Sequence, residues 1–205
     1  YTYEKLLGKG GQGSVWLALA EVTQELGKDA EGQRVAIKVF NEQHMRGQRE
    51  VETLEKLLEV GRHPNIVRFI KHFEEQSIIV MQYIEGESLK QRLLRAGKRL
   101  GNSEVKWIST GFLRGLGVLH ALNISHRDVK PDNIMLAVES GVSDESDRVV
   151  LVDFGLSKEH DAEQTITKDF ALLGTAAYMS PERLQPGKTD LRVDVWAAGV
   201  VMFEM

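Results

Sequence analysis

The stretch ISHRDVKPDNIML (residues 124–136) crowds His126, Arg127, Asp128, Lys130, Asp132 and Asn133 into one short run. Ile124 stands at one end and Ile134, Met135 and Leu136 at the other. A solvated loop accounts for the charges but not for the apolar flanks; an active-site loop accounts for both. A lone aspartate in a loop is ordinarily a turn former. Here a cation follows two residues after Asp128, and a carboxamide three residues after that. General base, cation and metal-holding amide are the groups that phosphoryl transfer needs, to orient a hydroxyl, neutralise phosphate charge and hold a cation. Pro131 stiffens the loop.

Downstream, VVLVDFG (residues 149–155) sets Asp153 at the mouth of an apolar strand, where a hard cation would find a ligand. The plainer reading, a strand ending in a turn at Gly155, leaves Asn133 unexplained. ESGVSDESD (residues 139–147) reads as a surface hairpin loop between them. GTAAYMSPE (residues 174–182) follows, and then DVWAAGVVMFEM (residues 194–205), which is apolar nearly all round and is expected to be a buried central helix.

Upstream, RVAIKVF (residues 34–40) alternates like a half-buried strand, with Val35, Ile37 and Val39 on one face and Ala36, Lys38 and Phe40 on the other. A lysine in such a strand ordinarily faces water at an edge. Beside Ala36, which is small enough to admit a flat ring, it suggests a purine with its phosphates reaching Lys38. GKGGQGSV (residues 8–15) satisfies G-x-G-x-x-G through Gly8, Gly10 and Gly13. Such glycines let backbone amides approach a phosphate, although a glycine-rich hairpin turn is the bland alternative. A dinucleotide fold would need a helix here; SVWLALA instead reads as a second strand, making the loop a flap.

A buried Lys38 needs a carboxylate. REVETLEKLLEV (residues 49–60) is helical in period. At about 100° per residue, Glu50 lies about 50° from the centre of the stripe made by Val51, Leu54, Leu57 and Leu58, closer than Glu52, Glu55 or Glu59. SIIVMQYI (residues 77–84) is another strand-length apolar run. After EGES (residues 85–88) the character turns helical: Val105, Ile108, Phe112, Leu116 and Leu119 recur at helical spacing, with Ser103 as a plausible cap. These elements predict a strand-rich small lobe, a connector near residues 82–86 and a helical larger lobe.

The totals fit a globular chain. Its 205 residues are 42% hydrophobic and 27% charged, enough for one or two domains. A net charge of −4 offers no electrostatic case for nucleic acid as a partner. There are no cysteines, hence no disulfide framework and no thiolate metal site. No apolar run reaches the roughly 18 residues of a membrane span, and nothing resembles a signal peptide. An intracellular, cytoplasmic protein is expected.

Taken in order, GKGGQGSV, VAIK, the REVETL helix, HPNIV, HRDVKPDN, DFG, GTAAYMSPE and DVWAAG resemble the eukaryotic protein kinase family. The resemblance runs from Leu6 to Met205. It implies an α+β, bilobal fold: an antiparallel small ATP-binding lobe with hinge at residues 1–84 and a mainly helical catalytic lobe at residues 85–205. It implies an ATP-dependent serine/threonine protein kinase using Mg²⁺. Gly8, Gly10 and Gly13 would cover the phosphates, and Lys38, paired with Glu50, would contact them. Val15, Ala36 and Met135 would sandwich adenine, Gln82 and Ile84 would meet its edge, and Met81 would stand behind. Asp128 would be the catalytic base, Lys130 would touch the γ-phosphate, and Asn133 and Asp153 would bind Mg²⁺. Leu54, Phe69, His126 and Phe154 would stack as an apolar spine. Lys130 and GTAAYMSPE look like the serine/threonine branch, in which Thr175 would contact Asp128 and Lys130. Arg127 resembles kinases switched on by an upstream kinase that phosphorylates the activation loop, with Thr167 favoured over Thr165 as the site.

Three departures stand out. Lys38 and Glu50 are closer in sequence than is usual in the family. Ser180 replaces the more usual alanine. The chain also stops at Met205, inside the implied central helix, and without the arginine that would pair with Glu182. A C-terminally truncated fragment is therefore expected, and residues 1–205 by themselves are not expected to turn over. A pseudokinase scaffold is the alternative from another class, but such proteins typically lose one of the three groups that Lys38, Asp128 and Asp153 supply. A small-molecule kinase is disfavoured by GTAAYMSPE, which shapes a peptide-binding surface in the family.

Overall fold

The computed structural model describes residues 1–10, 13–21, 32–41, 55–59, 61–97, 99–138, 148–153, 176–184 and 190–205. The chain divides into two compact units, Tyr1–Arg62 with Val67–Ile84, and His63–Ile66 with Glu85–Met205.

The first unit is built on an antiparallel sheet of five strands: β1 (Thr2–Gly10), β2 (Gly13–Leu19), β3 (Arg34–Phe40), β4 (Phe69–Phe73) and β5 (Ile78–Gln82). They lie in the order β1-β2-β3-β5-β4. Alternation along β3 sorts its side chains as the sequence predicts. Val35 and Ile37 join Ala18, Ala20 and Val80 in one buried cluster, with Val39 packed against it. The other face, Ala36, Lys38 and Phe40, is buried too, so the strand is covered on both sides rather than half-buried. β4 escapes sequence reading because Lys71 and His72 break the apolar pattern of an edge strand. The Lys71 ammonium sits 4.7 Å from the centre of the Phe73 ring. Residues 55–59 are helical, with Leu57 buried.

The second unit carries a three-stranded sheet, β6 (Gly86–Ser88), β7 (Ile134–Ala137) and β8 (Arg148–Leu151), in that order. Helix α1 (Leu89–Ala96) starts directly from β6: the Ser88 hydroxyl accepts from the Gln91 amide while the Gln91 side chain accepts from the Ser88 amide, a reciprocal cap. Helix α2 (Asn102–Ala121) buries Ile108, Phe112, Leu116 and Leu119, as their spacing requires. Its cap is Gly101, with no side-chain hydrogen bond, and Ser103 lies inside the first turn instead of preceding it. Helix α3 (Arg192–Glu204) buries Val193, Asp194, Ala197, Ala198 and Val201. Val195, Trp196 and Met202 are exposed and Phe203 is 94% exposed, so burial all round is not what the described residues show.

Helix α2 crosses β8 closely because it presents glycine there. A Cβ on Gly115 would lie 2.6 Å from the Asn65 carbonyl oxygen and 2.9 Å from Leu151 Cδ1, whereas one on Gly117 would meet nothing within 4 Å. The two positions should respond oppositely. Gly115→Ala is expected to destabilise by roughly 1–3 kcal/mol through overpacking. Gly117→Ala is expected to stabilise by roughly 0.5–1 kcal/mol through helix propensity. Chemical denaturation of both variants checks this, and equal shifts would show that α2 does not depend on the contact.

Candidate active site

Residues 125–133 run between α2 and β7, and their conformation is imposed from α3. Asp194, 1% exposed, aims its carboxylate back at this loop. Oδ2 accepts from the His126 amide at 2.8 Å and the Ser125 hydroxyl at 3.0 Å. It lies 2.9 Å from His120 Nε2, and Oδ1 accepts from the Arg127 amide at 2.8 Å. A buried carboxylate requires such donors, and the donors in turn need it. They hold Arg127 at φ +63°, a left-handed conformation that costs a non-glycine residue about 1–3 kcal/mol and persists only where its surroundings enforce it.

The next residue is the buried Asp128. Its Oδ2 accepts from Asn133 Nδ2 at 3.0 Å and pairs with Lys130 Nζ at 3.1 Å. The same Asn133 nitrogen donates to the Asp128 carbonyl at 2.9 Å. Pro131–Asn133 forms a 3-10 turn, closed by the Asn133 amide on the Lys130 carbonyl at 2.9 Å. The Asn133 carbonyl accepts from the Val152 amide at 3.0 Å. This bond extends the pairing of Ile134 with Leu151 and places Asn133 opposite the end of β8, one residue before Asp153. Asp153 itself has φ +54°. The second unit thus gathers Asp128, Lys130 and Asn133 directly, and brings Asp153 in through the β7–β8 ladder. Asn65 anchors that ladder from outside: its side-chain nitrogen donates to the Val149 carbonyl at 2.8 Å and its carbonyl accepts from the Leu151 amide at 3.0 Å.

His126 is fully buried. Burial depresses its imidazole, against the opposing pull of Asp194, Asp128 and Asp153. The unfolded chain, with an ordinary imidazole near 6.5, therefore takes up the proton first as pH falls. The stability this group contributes is present above about pH 6.5 and lost as pH drops towards the folded value. The melting temperature is expected to fall between about pH 7 and pH 5.5, and His126→Phe should flatten that slope. An unchanged slope would show that His126 carries none of it.

In the first unit, cross-strand register places Val15, Lys38 and Ile79 side by side, with Leu17, Ala36 and Met81 in the next row of the same face. Lys38 is only 6% exposed, so the edge-strand reading does not hold. Its ammonium lies 5.0 Å from the centre of the Phe40 ring. Added Cβ atoms on Gly8 and Gly10 would meet nothing within 4 Å, whereas one on Gly13 would lie 2.0 Å from the Val39 carbonyl oxygen. Gly13, at φ +153°, is therefore required by the sheet itself; Gly8 and Gly10 are not. Gln82 ends β5 with its amide on the Arg68 carbonyl at 2.8 Å, and Ile84 is buried. Met135, half-buried, stands on β7 of the second unit. Phe69 is buried in the first unit and His126 in the second. Glu50, Val51, Leu54, Phe154, Gly155, Thr165, Thr167, Thr175 and residues 139–147 lie outside the described residues.

Sequence reasoning passed over Asp194, His120, Ser125 and Asn65. The available signal was Asp194, an acid in the first turn of an otherwise apolar helix, which implies buried donors somewhere. Nothing local says that those donors are 67 to 74 residues away.

Comparison with known proteins bears on the whole chain. Residues 1–205 match the family model for the protein kinase domain. The chain belongs to the protein kinase domain family. This kinase domain is 32% identical over 208 residues to serine/threonine-protein kinase 1 of Arabidopsis thaliana, covering 100% of this chain and 23% of that protein. It is 34% identical over 210 residues to serine/threonine-protein kinase Sgk1-B of Xenopus laevis, covering 100% of this chain and 44% of the relative. Against human serine/threonine-protein kinase Sgk2 it is 32% identical over 211 residues, covering 100% of this chain and 53% of the relative. The chain thus spans about a quarter to a half of these relatives. The antiparallel sheet in one unit and mainly helical content in the other are the α+β fold of a kinase domain.

Proposed function

We propose that this protein transfers the γ-phosphate of ATP to serine or threonine hydroxyls of protein substrates. The observation that carries the reading is Asp128, a buried carboxylate oriented by Lys130 and Asn133. In the family's pattern, Asp128 orients the acceptor hydroxyl and takes its proton, and Lys130 offsets charge on the phosphate being moved. From the first unit, Gly8, Gly10 and Gly13 would bring backbone amides to the phosphates, and Lys38, with Glu50 as its partner, would hold them. Val15, Ala36 and Met135 would flank the adenine, with Met81, Gln82 and Ile84 at its rim. The smallness of Ala36 and the open space around Gly8 and Gly10 fit a nucleotide. The donor set fits a hard cation as well. Asn133 spends its side-chain nitrogen on Asp128, which leaves its side-chain oxygen Oδ1, with the Asp153 carboxylate, to hold Mg²⁺. Bound there, Mg²⁺ would supply charge neutralisation at the phosphate oxygens.

The partners on this reading are protein substrates and an upstream kinase acting at Thr167 or Thr165, where a phosphate would add roughly −1.5 to −2 charge for Arg127 to pair with. Among the described residues no helix is long and apolar enough to cross a membrane. Action in the cytoplasm is part of the proposal.

The test is Mg²⁺-dependent transfer of radiolabelled phosphate from ATP to serine/threonine peptides by the intact protein. Lys38→Met is expected to lower it roughly 10²–10³-fold while the protein still folds, with a lowered melting temperature because Glu50 loses its partner on this reading. Undiminished transfer by the variant would remove Lys38 from the site, and no transfer by the parent would sink the reading.

A further inference from the structure

The peptide unit joining Arg127 to Asp128 is held at both ends. Its N–H, that of Asp128, points to His126 Nδ1 at 3.3 Å. Its carbonyl, that of Arg127, accepts a hydrogen bond from the guanidinium of Arg183. The preceding peptide is held separately, by Asp194 on the Arg127 amide. Arg127 is the residue in the left-handed region, so the link it leads into is where a rotation towards ordinary backbone would be spent. Such a rotation would swing the Asp128 Cα–Cβ bond away from Lys130 and Asn133.

Arg183 reaches this carbonyl from a separate segment. It lies in the 3-10 turn Pro181–Leu184, with its amide on the Ser180 carbonyl at 3.0 Å. Ser180 is fully buried. Arg127, Asp128, Tyr178, Ser180, Arg183 and Asp194 line one small cavity. Burial lowers the Arg183 guanidinium from its ordinary value and Arg127 adds to that, while Asp128 and Asp194 oppose it. A guanidinium kept in such a place, spending a donor on a backbone carbonyl beside another arginine, has a specific geometric task.

We propose that Arg183 is a positioning residue for Asp128: it fixes the Arg127–Asp128 peptide and thereby couples residues 176–184 to the orientation of the base. Neither Asp194 nor Asn133 can substitute, because neither touches that carbonyl. The effect on turnover rests on the phosphotransfer reading above; the effect on backbone conformation does not.

The experiment compares the intact protein with Arg183→Met and Arg183→Lys in two measurements. The first is amide hydrogen exchange over residues 124–130. Arg183→Met should speed exchange there about tenfold or more, while α2 and β7 stay as in the parent. Arg183→Lys, which keeps a donor, should restore most of the protection. The second is peptide phosphorylation: Arg183→Met should lower kcat by roughly 10–100-fold, as expected for a reacting group displaced by about 1 Å. KM for ATP should stay within about twofold, and the lysine variant should recover much of the loss. Parental exchange in Arg183→Met overturns the inference, whatever the activity. Loss of protection throughout the second unit, unrelieved by lysine, overturns it too, by showing a merely structural role. An inactive parent overturns the kinase reading alone, since the exchange measurement still decides the position of the peptide.

Discussion

Asp194→Ala is expected to lower the melting temperature by roughly 6–20 °C. The substitution removes the acceptor for the His126 amide, the Arg127 amide and the Ser125 hydroxyl, all in or near buried positions. A buried donor left without its partner costs about 1–3 kcal/mol, and removing a buried, hydrogen-bonded charge typically costs about 3–5 kcal/mol in all. For a chain of this size each kcal/mol moves the transition by about 2–4 °C. Arg127 would also be freed to leave its left-handed conformation, adding to the disorder of the loop. Asp194→Asn should fall between, because one carboxamide oxygen still accepts. His120→Ala should cost far less, because His120 is partly exposed and supplies one of several contacts. Calorimetric melts of the three variants check the order. A shift under about 2 °C for Asp194→Ala would mean that the loop is held by something other than α3.

Asp128→Asn is expected to reduce kcat by roughly 10²–10⁴-fold, the range for losing a positioned general base. The side chain keeps its shape but cannot take up the hydroxyl proton. Its amide nitrogen would also compete with Asn133 Nδ2 and Lys130 Nζ, both of which now donate to Oδ2. ATP affinity should change little, because nucleotide contacts are assigned to other residues. Single-turnover phosphorylation with saturating ATP separates the two effects. A variant retaining more than about a tenth of the parental rate would show that Asp128 positions groups without accepting the proton.

Much of the fold and of the site is legible in the amino-acid sequence. The β3 alternation separates Val35 and Ile37 from Ala36 and Lys38 because successive side chains point to opposite faces, a rule that needs no partner. α2 shows its buried stripe for the same kind of reason, at a period of 3.6. The loop reading follows from chemistry: no arrangement of Asp128, Lys130 and Asn133 between apolar flanks is comfortable unless they serve one another. The failures lie where a partner decides. Ser103 resembles a cap in isolation, but Gly101 is where the chain bends. β4 carries Lys71 and His72 because an edge strand need not alternate. Residues 63–66 precede the connector yet join the second unit, since Asn65 bonds Val149 and Leu151.

By itself the sequence determined which residues form strands and helices over most of the described chain, which faces those elements bury, and which loop bears the chemistry, because these follow from periodicity and side-chain type within a few neighbours. Only the tertiary structure decided how that loop is held. Asp194 reaches across 67 residues to the Arg127 amide, and Arg183 across 56 to its carbonyl. Both contacts exist because a buried carboxylate and a half-buried guanidinium must find hydrogen-bond partners wherever the fold brings them. No local rule of the sequence specifies where that will be.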